Sequence, residues 1–396
     1  MTEYIFWIAL GVLFYGYVGY CLLIMVINSV RKFFCHIGRS FDAGAVLPEV
    51  TLVVAAYNEE SVIVEKINNC FELDYPQDKL SIIFVTDGSD DNTAKIVGLY
   101  PRIILLNKSE RRGKSAALNH AREHVHSPVT VFCDANTMLN PLAIKNIVRH
   151  YQDPNIGGVA GEKRISTRVG NHSSVISEGV YWKYESLLKR MDSDLYSVVG
   201  AAGELFSVRT ALWTSLPEQG ILDDFIISIR INLQGYRICY EPEAWAIELP
   251  SISLKEEGKR KVRICAGAFQ ALTIVKPIFN IFRYPILSFQ FISHRLLRWT
   301  LIPLCFPVLI FSNIVLAYSG GSVLYLIMLA FQCFFYAMVL CGALANSKAH
   351  MPTLMRVCHY IFFMNYNVYL GFIRFVRNGQ SPIWDKVSRT DLVKVG

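Results

Sequence analysis

Three apolar runs in the first third of the chain end in oxygen-bearing side chains. Glu49 to Ala56 (EVTLVVAA) runs into Tyr57, Asn58 and Glu59, Leu80 to Thr86 into Asp87, and Val129 to Cys133 into Asp134. Short runs rich in β-branched residues read as buried strands. In an open α/β sheet the ligand crevice lies outside the carboxyl ends of the strands, so a side chain there meets a diphosphate or a metal without being buried itself. One site containing Asn58, Asp87 and Asp134 is therefore expected. Asn136 follows Asp134 by two positions, and carboxylate and amide oxygens so placed suit a hard divalent cation that bridges a diphosphate. Lys114, in Arg112-Gly113-Lys114-Ser115, supplies a cation near the phosphates. Lys108 stands where a full phosphate-cradling loop needs glycine, which excludes an NTPase of that type. Asp87 to Asp91 fails as a calcium loop, because Asn92 and Gly98 occupy the positions that need glycine and glutamate.

The elements that must hold these residues alternate. Helical stretches over Val62 to Phe71, Thr93 to Leu99, Ser115 to His124 and Pro141 to Tyr151 separate the β-type runs, which predicts a doubly wound α/β sheet, parallel through this region. Beyond Arg164 the pattern is less regular. A helix over Ser174 to Arg190 is expected, then a glycine-bearing loop (VVGAAGELFSVR) and an acidic turn, ILDDF. Tyr181, Trp182 and Tyr184 in that helix are candidates for stacking on sugar rings, against the plainer reading of aromatics in a core.

Of the 396 residues 53% are hydrophobic and only 18% charged, and the apolar excess sits at the two ends. Tyr4 to Ile27 carries no charge and is long enough to cross a bilayer. Arg31, Lys32 and Arg39 follow it, so the positive-inside rule puts the central domain in the cytoplasm. The expected organisation is an N-terminal transmembrane helix (1–30), a cytoplasmic catalytic domain (31–275), an amphipathic helix in the headgroup plane (276–298) and a transmembrane hairpin (299–345), with Pro303 and Pro307 kinking its first helix. An interfacial, re-entrant or transmembrane helix with a basic tail (346–396) completes it. The net charge of +7 falls beside apolar segments, which favours anionic lipid over nucleic acid. Ten cysteines lie singly, excluding a disulfide framework or a zinc site.

Taken in order and between membrane segments, AAYNEE, VTDGSDDNT, RRGKSAALNHA, the Asp134-Ala135-Asn136 strand end and LDDF resemble family 2 of the inverting glycosyltransferases. That family includes the membrane synthases of cellulose, chitin, hyaluronan and poly-N-acetylglucosamine, and Asp134-Ala135-Asn136 resembles its D-x-D signature. The resemblance implies a GT-A type, doubly wound mixed sheet, a UDP-sugar donor, Mg²⁺ or Mn²⁺, and a glycan or lipid-linked acceptor. It places the enzyme as multi-pass in the inner (cytoplasmic) membrane, beside other surface-glycan assembly proteins.

Position by position, it implies that Ala55, Tyr57, Asn58 and Glu59 lie around the base and that Asp87 bonds uracil and ribose. Asp134, with Asn136, would hold the metal and diphosphate, and Lys114, Arg260 and Arg263 would grip the diphosphate. Gly200, Gly203, Glu204 and Asp223 would meet the acceptor, and Asp224 would be the catalytic base. The processive members' Q-x-x-R-W motif is represented by Arg260-Lys261-Val262-Arg263-Ile264, with the arginine kept and the glutamine and tryptophan replaced. Transfer of one or a few sugars is the expected activity. The alternatives are a processive, exporting synthase and a non-catalytic nucleotide-sugar-binding scaffold or sensor.

Overall fold

Strands with apolar residues on both faces must be covered on both sides, and the first strand shows how. Along it Val50, Leu52, Val54 and Ala56 enter one core cluster, while Val53 and Ala55 enter the other. Each valine or leucine among them, fully buried, contributes roughly 1.5–3 kcal/mol. The structure is a computed structural model that describes residues 1–34, 42, 44–165, 173–248, 254–320, 322–345 and 351–377. Arg39 and the basic tail beyond Arg377 lie outside the described residues.

Helices α1 (Thr2–Phe14) and α2 (Tyr20–Phe34), joined by a π turn, precede β1 (Val50–Ala56), α3 (Ile63–Phe71) and β2 (Leu80–Asp87). Next come α4 (Thr93–Val97), β3 (Ile103–Lys108), α5 (Lys114–Arg122), β4 (Val129–Asp134), β5 (Thr137–Leu139), α6 (Ala143–Val148) and β6 (Ile156–Ile165). The second half of the sheet region holds α7 (Ser173–Leu195), β7 (Phe206–Arg209), α8 (Asp223–Leu233), β8 (Arg237–Glu248) and α9 (Leu254–Ile274). Then follow α10 (Pro285–Phe291), α11 (Leu297–Trp299), α12 (Leu301–Tyr318), α13 (Val323–Leu344) and α14 (Thr353–Val376).

The eight strands form one sheet in the order β3-β2-β1-β4-β7-β6-β8-β5. Pairs β1–β2, β2–β3, β1–β4 and β6–β8 are parallel, whereas β4–β7, β6–β7 and β5–β8 are antiparallel. The fold is thus the mixed, GT-A type α/β sheet. From β1 the chain moves outward through β2 to β3, then returns to β4 on the other side of β1. That reversal opens the crevice between β1 and β4, where Ala55 and Asp134 are register partners.

Three helical segments are long and apolar enough to cross a membrane: Thr2–Phe34, Leu301–Tyr318 and Val323–Leu344. This associates the protein with a membrane. Helix α12 runs through Pro307 without interruption.

One expectation near the membrane is corrected. Residues 276–298 are not one amphipathic helix but a 3-10 turn, α10, a π turn and α11. The bases His294, Arg295 and Arg298 turn inward to buried acids instead of outward to headgroups. Helix α14 is continuous rather than re-entrant, packing along α9 and α13, with Gly371 against Cys265 and Gly342 against His359. The cysteines among the described residues are free, as expected.

Candidate active site

Asp134 ends β4, and the turn after it is held from below. Lys66 of α3, fully buried, donates to Cys133 Sγ (3.0 Å) and to the Thr137 carbonyl (2.7 Å). Asn69 of the same helix bonds both backbone groups of Leu139, and Thr137 Oγ1 donates to the Asp134 carbonyl at 2.9 Å. Lys114 enters from the first turn of α5. Asp87 fixes that entry, because its carboxylate accepts from the amides of Arg112 (2.8 Å) and Gly113 (2.9 Å). Gly113 has φ +97, a backbone state that costs glycine little and other residues much. Asp223 and Asp224 begin α8, where acidic side chains suit the positive end of the helix.

These elements converge. Lys114 Nζ lies 2.8 Å from Asp134 Oδ1 and 3.3 Å from Asp223 Oδ2. At Gly203 a side chain would begin 3.4 Å from both Asp224 Oδ2 and Lys114 Nζ, so glycine leaves the space beside Asp224 open. All of them line a cavity of about 800 Å³. It runs from the strand ends to α14 and reaches Tyr17 in the first apolar segment.

The three carboxylates outnumber the lysine, and burial sharpens the imbalance. Burial and then the Asp223 carboxylate push Asp224 up to about 7, against the pull of Lys114. Burial also raises Asp134, with Lys114 opposing. Partial burial of Lys114 disfavours its charge, but Asp134, Asp223 and Asp224 together hold the ammonium charged well above the usual lysine range.

Of the residues assigned to the nucleotide sugar, Ala55, Tyr57, Glu59, Lys114, Asp134, Arg260 and Arg263 line this cavity. The Arg111 guanidinium sits 3.8 Å above the Tyr57 ring. Asn58 and Asp87 are not brought into the lining. Asn58 has φ +52 and accepts from the Asp90 amide at 2.8 Å, so it shapes the turn after β1. Asp87 is 3% exposed and lies on β2, beyond β1 from the crevice. Of the single site expected from Asn58, Asp87 and Asp134, Asp134 lines the cavity, and the other two shape and support its edge.

Arg260 is engaged by Glu248 at 3.3 Å, while Arg263 has no ion pair or hydrogen bond among the described residues. The acceptor candidates Gly200, Gly203, Glu204 and Asp223 all line the cavity. Glu204 pairs with Lys163, which also pairs with Glu248. Burial would raise Glu204, but Lys163, by its charge and its hydrogen bond, together with Arg260 holds the carboxyl below its usual range.

Sequence reasoning missed a second charged wall. Glu185 of α7 pairs with Arg298, with Arg295 at 3.3 Å and with His294 at 3.4 Å. Asp192, two helical turns on, accepts from His294 and from Tyr20 of α2, both at 2.5 Å. Burial alone would raise Glu185, yet Arg298 and Arg295 hold it well below the usual carboxylate range. Tyr181, Trp182 and Tyr184 line the same wall, the last donating to the Tyr17 carbonyl at 2.7 Å.

A divalent cation fits the crevice end. Asn136 Oδ1 is a buried acceptor with no hydrogen-bond partner, and it lies two residues from the half-buried carboxylate of Asp134. An orphaned amide oxygen beside a carboxylate is a hard donor set of the kind Mg²⁺ and Mn²⁺ take.

The chain is 30% identical over 237 residues to the poly-beta-1,6-N-acetyl-D-glucosamine synthase of Staphylococcus aureus (strain COL), covering 57% of this chain and 56% of that protein. The enzyme of the same name from Staphylococcus epidermidis is 26% identical over 274 residues, covering 65% and 64%. The chain thus spans only a little over half the length of the first of these relatives. Among solved structures, the mannosyltransferase PcManGT from Pyrobaculum calidifontis, in complex with GDP-Man and Mn²⁺, shares the fold. Its TM-score is 0.69 at 22% identity, with 96% of this chain and 100% of that one covered. The family model described as glycosyltransferase like family 2 matches residues 48–267, a stretch that contains every strand of the sheet and the whole carboxylate cluster around Lys114. With more than half of its length inside that match, the chain belongs to glycosyltransferase family 2.

Proposed function

We propose that the protein is an inverting, metal-assisted glycosyltransferase that moves a sugar from a UDP donor to an acceptor at the membrane, in surface polysaccharide or glycolipid assembly. Kinship with the staphylococcal synthases favours N-acetylglucosamine as the sugar. The observation that carries the reading is Asp224: a half-buried carboxyl raised to about 7 beside an open space, with Lys114 and Asp134 lining the same cavity. A general base works best when its pKa lies near the working pH.

In this reading the acceptor hydroxyl gives its proton to Asp224 as its oxygen attacks the anomeric carbon. A new carbon–oxygen bond forms while the bond to the β-phosphate oxygen breaks on the opposite face, and the electron pair leaves with UDP. Lys114 and Arg263 face the departing diphosphate and stabilise the charge that grows there. Asp134 and Asn136 would hold the cation, which supplies further neutralisation of the leaving diphosphate when bound. Ala55, Tyr57 and Glu59 border the nucleotide, with Asp87 acting through the Arg112-Gly113 amides.

The catalytic domain, 31–275, would face the cytoplasm, where nucleotide sugars are made. Arg31 and Lys32 at the end of the first apolar segment support that orientation, and the protein would reside in the inner membrane.

A second reading, processive synthesis, is supported by the names of the staphylococcal relatives. The replaced glutamine and tryptophan around Arg263 favour short products instead. The test is to incubate the purified full chain in detergent with Mn²⁺ or Mg²⁺, a panel of nucleotide sugars and membrane lipid extract, scoring nucleotide release and product length. UDP release that depends on both the lipid extract and Asp224 is expected. Turnover by Asp224→Asn equal to the wild type would overturn the assignment.

A further inference from the structure

Lys189 of α7 lines the cavity. It is 2% exposed, and among the described residues it makes no ion pair or hydrogen bond; its ammonium lies 5.6 Å from the centre of the Trp182 ring. The neighbouring acids are already engaged. Glu185 receives Arg295 and Arg298, Glu204 receives Lys163, and Glu162 accepts from Ser186 and Tyr240. Burial, then the nearby Arg295 guanidinium, lowers Lys189 from its ordinary range despite Glu162, Glu204 and Glu185. A buried cation so placed is costly unless an anion joins it.

The surroundings say what kind of anion fits. Val357, Ile361, Met364 and Val368 present an apolar face of α14 to the cavity, and Tyr17 brings the first apolar segment to its edge. Asn365 of α14 donates to the Tyr17 hydroxyl at 2.7 Å, closing that side. A water-soluble sugar has no use for such a wall, and an uncharged lipid leaves Lys189 without a counter-ion.

We propose that Lys189, with Arg295 beside it, binds the phosphate of a phosphodiester lipid that serves as acceptor, its acyl chains along α14 and a headgroup hydroxyl reaching Asp224. A lysine point charge next to a planar guanidinium suits a phosphate that offers several oxygens. The inference rests on the glycosyl transfer proposed above and narrows its acceptor to an anionic, hydroxyl-bearing lipid.

The test uses the full chain in phosphatidylcholine nanodiscs with UDP-N-acetylglucosamine and Mn²⁺. Discs are supplemented with phosphatidylglycerol, with the neutral hydroxyl lipids diacylglycerol or glucosyl diacylglycerol, or with soluble glycerol phosphate. Sugar transfer into phosphatidylglycerol alone is expected. Lys189→Met should raise the KM for that lipid roughly 10–100-fold, the effect of losing a charged hydrogen bond, with much smaller change in kcat. Lys189→Arg should restore most of it, and UDP affinity by calorimetry reports whether each variant is folded. Equal transfer to a neutral lipid, full activity with glycerol phosphate, no transfer to phosphatidylglycerol, or an unchanged lipid KM in Lys189→Met would each overturn the proposal while UDP release continues. Absence of UDP release with every donor and acceptor would instead overturn the glycosyltransferase reading itself.

Discussion

The two charged walls of the cavity are built from the same residue types and behave oppositely. At the strand ends three carboxylates share one lysine, and Asp224 is pushed up to about 7 by burial and Asp223. On the α7 wall two carboxylates, Glu185 and Asp192, face two arginines and a histidine, and Glu185 is held well below its usual range. What differs is the ratio of acids to bases around each carboxyl, together with its burial. A shortage of cations makes a group that can accept a proton near neutral pH. A surplus makes a permanent charge, whose use is to hold helices together and to leave positive potential in the cavity.

The contrast predicts a graded set of failures. Asp224→Asn should lower kcat by roughly 10²–10⁴, the usual contribution of a general base, while UDP affinity by calorimetry stays within twofold. Glu185→Ala should act on stability instead, at about 3–5 kcal/mol in denaturant unfolding, because it leaves Arg298 and Arg295 buried without their acid. The sign of its pH dependence follows: the folded-state carboxyl is depressed, so its stabilisation is full above the unfolded value of about 4.3 and is lost as pH falls below it. Asn136→Ala should weaken Mn²⁺ activation about 10–100-fold in a metal titration of UDP release.

The smallest change sharpens the comparison most. Asp223→Asn removes the like charge beside Asp224, so the acid limb of the kcat/KM profile, where Asp224 must lose its proton, should move from near 7 to lower pH. A limb that stays in place would mean that burial alone sets the value.

How much of this was legible in the chain depended on distance along it. The strand-end residues were readable because an apolar run and the polar group that stops it are neighbours in sequence, and Asp134 faces the crevice as that pattern implies. The part Asp87 plays was not, since whether a strand-end acid faces the crevice depends on strand order, and the reversal lies on the other side of β1. The second half of the sheet was faint because β6 and β8 pair through register shifts at Ile156/Gly158 and Gly161/Glu162, which blur their periodicity. Arg298 is 113 residues from Glu185, so nothing local distinguished it from a base that greets lipid headgroups. Lys189 fell within an expected helix with no local sign that its charge would be buried.

Tyr20 on Asp192, Tyr184 on the Tyr17 carbonyl and Arg298 on the Gly16 carbonyl fasten the first apolar helix to the cavity wall. A helix whose greasy length is fixed, bolted at its flank to the reaction chamber, cannot rise or sink with the bilayer without moving that wall. Lipid thickness then becomes a mechanical input to turnover, and the enzyme should work fastest in the membrane whose thickness leaves those bolts unstrained.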